Sequence, residues 1–324
     1  MKICFIDTIK ASHVDMSSNP FSESGHEIYF DKKVKADCDI IIGGMPSEVQ
    51  IKSSDDLKAL IIPFSGLIPQ TRKVLLTHCP ELPVYNVKHN STAVAEMALT
   101  LLLSCKRSLL EVDRQLREGD WSYRFSPTKD TLIHGSKATI IGYGASGKKV
   151  ANLLIAMGAT VNVVRNISQS IYEENGVIIY PPKELVSALD MSDALIICCA
   201  LTDQTVDLIR YEHFEVMSPL SYLVNVSRSE IVNEKDLYDA LKKGVLRGAG
   251  IDVWPNFPTS PERITSTASS ALDFDKLHNV IMSPHRAGQF HSNHKMQMSE
   301  VLKIVQELSQ EKQPKNQVDI FKGY

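Results

Sequence analysis

The chain has 324 residues, 43% of them hydrophobic and 23% charged, which is enough for two domains with cores of their own. A formal net charge of -3, a pI near 6.4 and the lack of any basic block exclude a nucleic-acid-binding surface as its main business. No apolar stretch reaches the ~20 residues that span a bilayer, and the opening run MKICFID lacks a signal peptide's apolar region and cleavage site, so a cytoplasmic protein without membrane partners is expected.

Short β-rich runs alternate with helix-like segments, which predicts an α/β fold with parallel sheets. Lys2 to Ile6, Asp39 to Ile42, Ala59 to Pro63 and Val84 to Asn86 form a first, smaller sheet. The turn Phe64-Ser65-Gly66-Leu67 lies between Pro63 and Pro69, where a glycine suits any tight turn. Lys88 and His89 follow the last of these strands and suit either an anionic substrate tail or a plain surface. Thr92 to Leu116 reads as one long buried helix, apolar and free of Gly and Pro, ended by a loop with Gly119, Trp121 and Pro127. Strands are then expected near 138 to 141, 160 to 164, 193 to 199, 222 to 226, 248 to 251 and 279 to 282. A polar helix from about Asn293 to Leu308 follows, and no internal repeat is present.

The cysteines, at 4, 38, 79, 105, 198 and 199, show neither metal-ligand nor disulfide spacing and read as buried thiols of a reducing compartment. Cys198 and Cys199 are adjacent in a strand and point to opposite faces, so they are not read as a redox pair. His291 and His294 have i, i+3 spacing on a predicted helix but no third ligand nearby, and no metal is expected.

The most informative stretch is Lys137 to Val150, KATIIGYGASGKKV. A strand ends at Ile141, and Gly142, Gly144 and Gly147, interleaved with Tyr143, Ala145 and Ser146, lead into a helix-compatible segment through Met157. In that context the first glycine makes the turn, the second admits a pyrophosphate and the third lets helix and strand pack closely. The helix N-terminus favours an anion. The next strand ends at Arg165, 23 positions after Gly142 (165 minus 142), where an acid would hold the ribose of NAD. Arg165, Asn166 and Ser168 stand there instead, a donor set suited to a 2′-phosphate, so NADP is favoured and NAD is the second choice. A solvent-exposed arginine at a strand end is the plain alternative.

These motifs, with HNSTAVAEMALTLLLSCKR (89 to 107), EGDW (118 to 121), ALTDQTVDLI (200 to 209), LVNVSRSEIVNEKDLYDALKKGVLRGAGIDVW (223 to 254) and NVIMSPHRAG (279 to 288), make the chain resemble the D-isomer-specific 2-hydroxyacid dehydrogenase family over nearly its whole length. Glyoxylate/hydroxypyruvate reductases, phosphoglycerate dehydrogenases and formate dehydrogenases are relatives of that kind. The resemblance implies two Rossmann-like domains: a flavodoxin-like substrate-binding domain from 1–90 and 291–324, and an inserted dinucleotide-binding domain over 91–290, with the active site in the cleft between them. It further implies a homodimer built around the helix from Thr92.

Carried over residue by residue, Arg228 in NVSRSE matches the arginine that holds the substrate carboxylate and carbonyl oxygen, and His285 in SPHRAG matches the acid/base. Ser65, Gly66 and Leu67 match the substrate-carboxylate loop, and Asn90 the substrate-contacting asparagine of formate dehydrogenases. Cys199, Ala200, Thr202 and Val226 are expected to line the cofactor groove, and Asp252 to face the cofactor near its nicotinamide. The pattern breaks at Phe257-Pro258, where the family carries a Glu before the proline, or a Gln in formate dehydrogenases. Phenylalanine does neither job. Glu262, Asp273 and Asp275, in the long segment that follows, are the candidates for a replacement acid, against a reading as solvated loop charges. The expected activity is reduction of a small 2-oxo acid. The rivals are a formate-like small-anion dehydrogenase and a catalytically impaired, dinucleotide-sensing binding protein.

Overall fold

The computed structural model describes residues 1–6, 25–128 and 130–324. The chain divides into two compact units, Met1–Asn90 with Gln289–Tyr324, and Ser91–Gly288.

In the first unit, β1 (Lys2–Phe5), β2 (Glu27–Phe30), β3 (Ile40–Ile42), β4 (Ala59–Ile62) and β5 (Val84–Asn86) form a parallel sheet in the order β2-β1-β3-β4-β5. All three isoleucines of β3 are fully buried because successive side chains alternate between two covered faces. Ile40 and Ile42 join Ile3, Phe5 and Ile61 beneath Met298, Val301 and Val305 of the helix Asn293–Ser309. Ile41 joins Cys4, Leu60 and Leu75 on the other face, Leu75 belonging to the helix Pro69–His78. Strand β2 is not among the expected strands. It lies at the sheet edge with none of its residues fully buried, so it lacks the apolar run that marks its neighbours.

Among its described residues the second unit holds eight strands: β6 (Lys137–Ile141), β7 (Thr160–Val164), β8 (Tyr172–Glu174), β9 (Val177–Tyr180), β10 (Ala194–Ile197), β11 (Tyr222–Asn225), β12 (Gly248–Ile251) and β13 (Val280–Met282). Their order is β13-β12-β11-β10-β6-β7-β9-β8, parallel except for the β8–β9 pair. The chain winds one way from β6 and the other way from β10, so the order reverses between these two neighbours, where open α/β sheets bind ligands. The β8–β9 hairpin closes on Asn175 (φ 52) and Gly176 (φ 76), the two left-handed residues that a tight Asn-Gly hairpin turn requires.

The expected long helix is broken. It runs from Ser91 to Lys106, stops at Ser108 (φ 49) and resumes as Leu109–Arg117. The cause is a clasp of polar side chains on a distant segment. Ser108 Oγ donates to Asp130 (3.2 Å), Arg107 pairs with the same carboxylate (3.3 Å), and the buried Lys106 ammonium donates to Thr131 Oγ1 and the Leu132 carbonyl, both at 3.2 Å. The apolar pattern runs through the break and does not reveal it. The first half is buried as expected: a Cβ on Gly250 of β12 would lie 2.7 Å from Leu101 Cβ, so the glycine is what admits the helix to the sheet. The second half buries none of its residues. No described helix is long and apolar enough to cross a membrane.

Candidate active site

The three glycines of the β6 turn have different reasons to be glycine. Gly142 has φ +97, and a Cβ there would stand 2.7 Å from the backbone of Cys199; one on Gly147 would stand 2.1 Å from the Gly142 carbonyl oxygen. Both are required by the chain itself. A Cβ on Gly144 would meet nothing within 4 Å, although Gly144 caps the helix Ala145–Ala156 without a side-chain cap and is followed by Ala145 and Ser146 in its first turn. That open space beside free N–H groups fits a pyrophosphate. Gly144→Ala is therefore expected to change stability by at most about 1 kcal/mol while weakening dinucleotide binding tenfold or more, as read by thermal melts and fluorescence titration. Unchanged affinity would place the pyrophosphate elsewhere.

Arg165 is half-buried at the end of β7, with its backbone N–H on the Tyr180 carbonyl (3.0 Å). It is not a bare strand-end arginine, and the site does not lack a carboxylate: Arg165 pairs with Glu174 of β8 (3.4 Å), and the Tyr172 hydroxyl donates to the same oxygen (3.4 Å). The guanidinium lies 6.0 Å from the ring centre of the buried Tyr143, and Lys148 Nζ lies 5.3 Å from that ring. Asn166 follows on the surface. Ser168 differs from expectation. It is 6% exposed and its one hydroxyl proton goes to the Ser170 carbonyl (2.7 Å), so here it braces the loop.

Beyond β10, burial pushes the Cys198 and Cys199 thiols up to about 12, which removes the thiolate that redox chemistry would use. The Cys199 carbonyl accepts the Ser227 hydroxyl. The Ala200 carbonyl accepts the Thr205 hydroxyl (2.8 Å), and the Thr202 N–H donates to Thr205 Oγ1 (2.7 Å), so this stretch is a turn fixed by hydroxyls. Val226 is buried directly after β11.

Arg228 is set by Asn225, the last residue of β11, which sequence reasoning missed. The Asn225 side chain accepts the Ser227 N–H (3.0 Å) and donates to the Arg228 carbonyl (2.9 Å). Arg228 itself donates to the Ser227 carbonyl (2.7 Å). Burial pulls its pKa below the ordinary value against the opposing charge of Glu230, and a guanidinium stays protonated regardless. Among the described residues no carboxylate forms an ion pair with it, Glu230 acting only as a nearby charge. Its remaining donors are open to an anion.

His285 has a left-handed backbone (φ +54), held by its N–H on the Asp252 carbonyl (2.7 Å). Asp252, expected to face the cofactor, has its carboxylate turned into the protein. It is 0% exposed, and its carboxylate accepts from Ser283 Oγ (2.5 Å), Arg286 N–H (3.0 Å) and Ala287 N–H (2.9 Å), while Trp254 Nε1 donates to the Ser283 carbonyl (3.0 Å). The short DVW and SPHRAG motifs thus interlock, and Asp252 is a positioning residue for the loop that carries His285. Phe257 packs its ring edge-on against the imidazole, centroids 5.9 Å apart at 83°. His285 is exposed as a residue, yet the protein around its ring desolvates the imidazole and lowers its pKa from the ordinary value; the nearby positive charge of Arg228 adds to this, and Asp252 and Glu230 oppose it more weakly. None of the candidate replacement acids pairs with the ring: Glu262 is exposed and bonded to Ser260, Asp273 pairs with Lys276 (2.9 Å), and Asp275 lies in the same exposed turn.

In the first unit, the Ser65 hydroxyl donates to Asn90 Oδ1 (3.2 Å), which turns the Asn90 amide so that its NH2 is left for another partner. The Ser65 carbonyl accepts from Asn86 (2.9 Å), a 4% exposed residue whose own Oδ1 has no partner. Leu67 is buried in the core, leaving Gly66 and the backbone as the accessible part of this loop. His89 is tied within its own unit: Nε2 contacts Asn293 Oδ1 (3.1 Å), and burial lowers its pKa against the opposing effect of that hydrogen bond. The Lys88 N–H donates to both carboxylate oxygens of Glu300 (3.0 Å each). His291 precedes the helix Asn293–Ser309, separated from it by the left-handed Ser292, so it shares no helical face with His294. Among the described residues no cluster of three or more His, Cys, Asp or Glu side chains is arranged to hold a metal.

Residues 99–287 match the family described as D-isomer specific 2-hydroxyacid dehydrogenase, NAD binding domain. A glyoxylate/hydroxypyruvate reductase of Arabidopsis thaliana is 30% identical over 260 residues, 73% of this chain and 75% of the relative. A glyoxylate reductase of Korarchaeum cryptofilum is 32% identical over 199 residues, 61% of this chain and 57% of the relative. Among solved structures, the NADPH-dependent glyoxylate/hydroxypyruvate reductase of Sinorhizobium meliloti, in complex with NADP and sulfate, is similar in fold with a TM-score of 0.81 at 20% identity, covering 100% of this chain and 99% of the other.

Proposed function

The chain belongs to the D-isomer specific 2-hydroxyacid dehydrogenase family, and from that membership we propose an NADP-preferring reductase of small 2-oxo acids, glyoxylate and hydroxypyruvate first among them. One observation carries the reading: Arg228, with no carboxylate ion-pair partner among the described residues, and His285 stand on adjoining strand ends tied by backbone bonds, the Asn225 carbonyl accepting the Asp252 N–H (3.0 Å) and the Asp252 carbonyl the His285 N–H (2.7 Å). An anion-binding fork next to a proton donor is what a 2-oxo acid needs. Arg228 grips the carboxylate and the carbonyl oxygen, which orients and polarises the C=O bond. Gly144, the first turn of the helix after it and Arg165 would hold a nicotinamide dinucleotide, which would supply the hydride for the carbonyl carbon. Protonated His285 gives its proton to the carbonyl oxygen as that bond becomes an alcohol, and regains it from solvent; oxidation runs the same transfers backwards.

The test is a panel of 2-oxo acids and formate assayed with both nicotinamide cofactors. Glyoxylate or hydroxypyruvate reduced with NADPH is the expected result. Turnover of formate alone, or tight dinucleotide binding without turnover of any acid, would replace the reading with one of its rivals. Arg165→Ala is expected to weaken NADPH binding by about 2 kcal/mol, roughly 30-fold, and to leave NADH nearly unchanged. NADH binding better than NADPH in the unmodified protein would overturn the cofactor assignment.

A homodimer is also part of the reading. Leu109, Leu110, Trp121 and Phe125 are exposed on the segment that follows the helix break, Phe125 by 82%, and a second copy of the chain is the expected cover for this apolar surface. Sedimentation at micromolar concentration should show the dimer, and a monomer there counts against it.

A further inference from the structure

We propose that Glu174 is a specificity-determining residue that restrains the preference for NADPH over NADH, by competing with the ribose 2′-phosphate for the Arg165 guanidinium. This rests on the reading that the dinucleotide is held at the glycine turn of β6 with its 2′-position at Arg165. The competitor is delivered by local sequence: the Asn175-Gly176 turn folds β8 back on β9, Glu174 pairs with Val177, and from this edge strand its carboxylate reaches Arg165 at 3.4 Å. Both side chains are about two-thirds or more buried (26% and 32% exposed), so water screens the pair less than it would a surface pair. The contact is a single one, not a bidentate clamp, and Arg165 donates only one N–H to it.

A 2′-phosphate carries nearly two negative charges at neutral pH. Docked on this guanidinium, it would face a carboxylate already seated on the same group, so attraction to Arg165 is offset by repulsion from Glu174. The 2′-hydroxyl of NADH meets the opposite situation, since a carboxylate is a good acceptor for a hydroxyl. Lys148, 5.3 Å from the Tyr143 ring that Arg165 also overlies, keeps a second positive charge beside the turn, so the restraint lowers the preference without reversing it.

The experiment compares Glu174→Gln with Glu173→Gln by fluorescence titration of each purified variant with NADPH and with NADH. Glu173 is the neighbouring, exposed carboxylate of β8, and its side chain points to the other face of the strand. Glu174→Gln should tighten NADPH binding roughly fivefold or more and leave NADH unchanged or slightly weaker, raising the affinity ratio. Glu173→Gln should leave the ratio as it is. A ratio that stays constant or falls in Glu174→Gln overturns the proposal, a fall meaning that Glu174 orients Arg165 instead of competing for it. An equal rise in both variants also overturns it, because only net charge would then matter. The underlying reading is judged separately: if Arg165→Ala costs no NADPH affinity, the phosphate is not at Arg165 at all.

Discussion

Reduction of a 2-oxo acid by this protein is expected to quicken as pH falls below the ordinary histidine value of 6.5, with kcat/KM still climbing where a histidine paired with a carboxylate would already have levelled off. In the proposed mechanism the reductive direction uses protonated His285. Desolvation of the ring and the Arg228 charge both disfavour that form, and Phe257, which sets an uncharged aromatic edge against the imidazole, does nothing to favour it, so the protonated form is less populated than in an ordinary histidine. Lowering the pH through the depressed pKa restores it. On the same proposal the oxidative direction uses the neutral ring and should hold its rate down to lower pH. Phe257→Glu puts a negative charge near an imidazole that now has an aromatic edge at 5.9 Å, and should move the reductive limb to higher pH. His285→Asn should lower kcat by roughly 10²- to 10⁴-fold at any pH. A flat reductive profile between pH 5 and 8, with chemistry shown to be rate-limiting, would assign the proton to another group.

Asp252→Ala should have the largest effect on stability, about 3–5 kcal/mol in urea unfolding of the full chain, because it leaves two backbone N–H groups and a hydroxyl without their acceptor in a fully buried place. Asp252→Asn separates the contributions. Its amide oxygen can still accept from Ser283 and Arg286, but its NH2 cannot accept from the Ala287 N–H, so about 1–3 kcal/mol should be lost. Since the same loop aims His285, Asn at this position should lower kcat more than it raises KM. If Asp252→Asn kept full stability and full kcat, the carboxylate would not be what holds the loop.

Much of this was legible in the chain, for local reasons. A glycine turn, a β-rich run and a helix start are encoded within a dozen residues, and Gly142, Gly147 and the β3 isoleucines stand as their local pattern implies. Contacts across long sequence separations were not legible. Nothing around Asp252 announces that its partners are Ser283, Arg286 and Ala287, and nothing around Ser108 announces Asp130. The β8–β9 hairpin is a different case. Asn175-Gly176 is a strong turn signal, and following it would have located the carboxylate beside Arg165 that the strand end itself lacks.

The split of the first unit between the two ends of the chain has a consequence in time. Ile3, Phe5, Ile40, Ile42 and Ile61 form one apolar face whose cover, Met298, Val301 and Val305, is synthesised only after the whole Ser91–Gly288 unit. At a ribosomal pace of about 5–20 residues per second, making roughly 200 residues keeps that face bare for about 10–40 s. The intervening unit is continuous in sequence and has no such wait. A nascent chain of this protein therefore carries a completed second unit and an unfinished, sticky N-terminal sheet at the same moment. Chaperone dependence and aggregation in expression should trace to the first 90 residues and not to the site that does the chemistry.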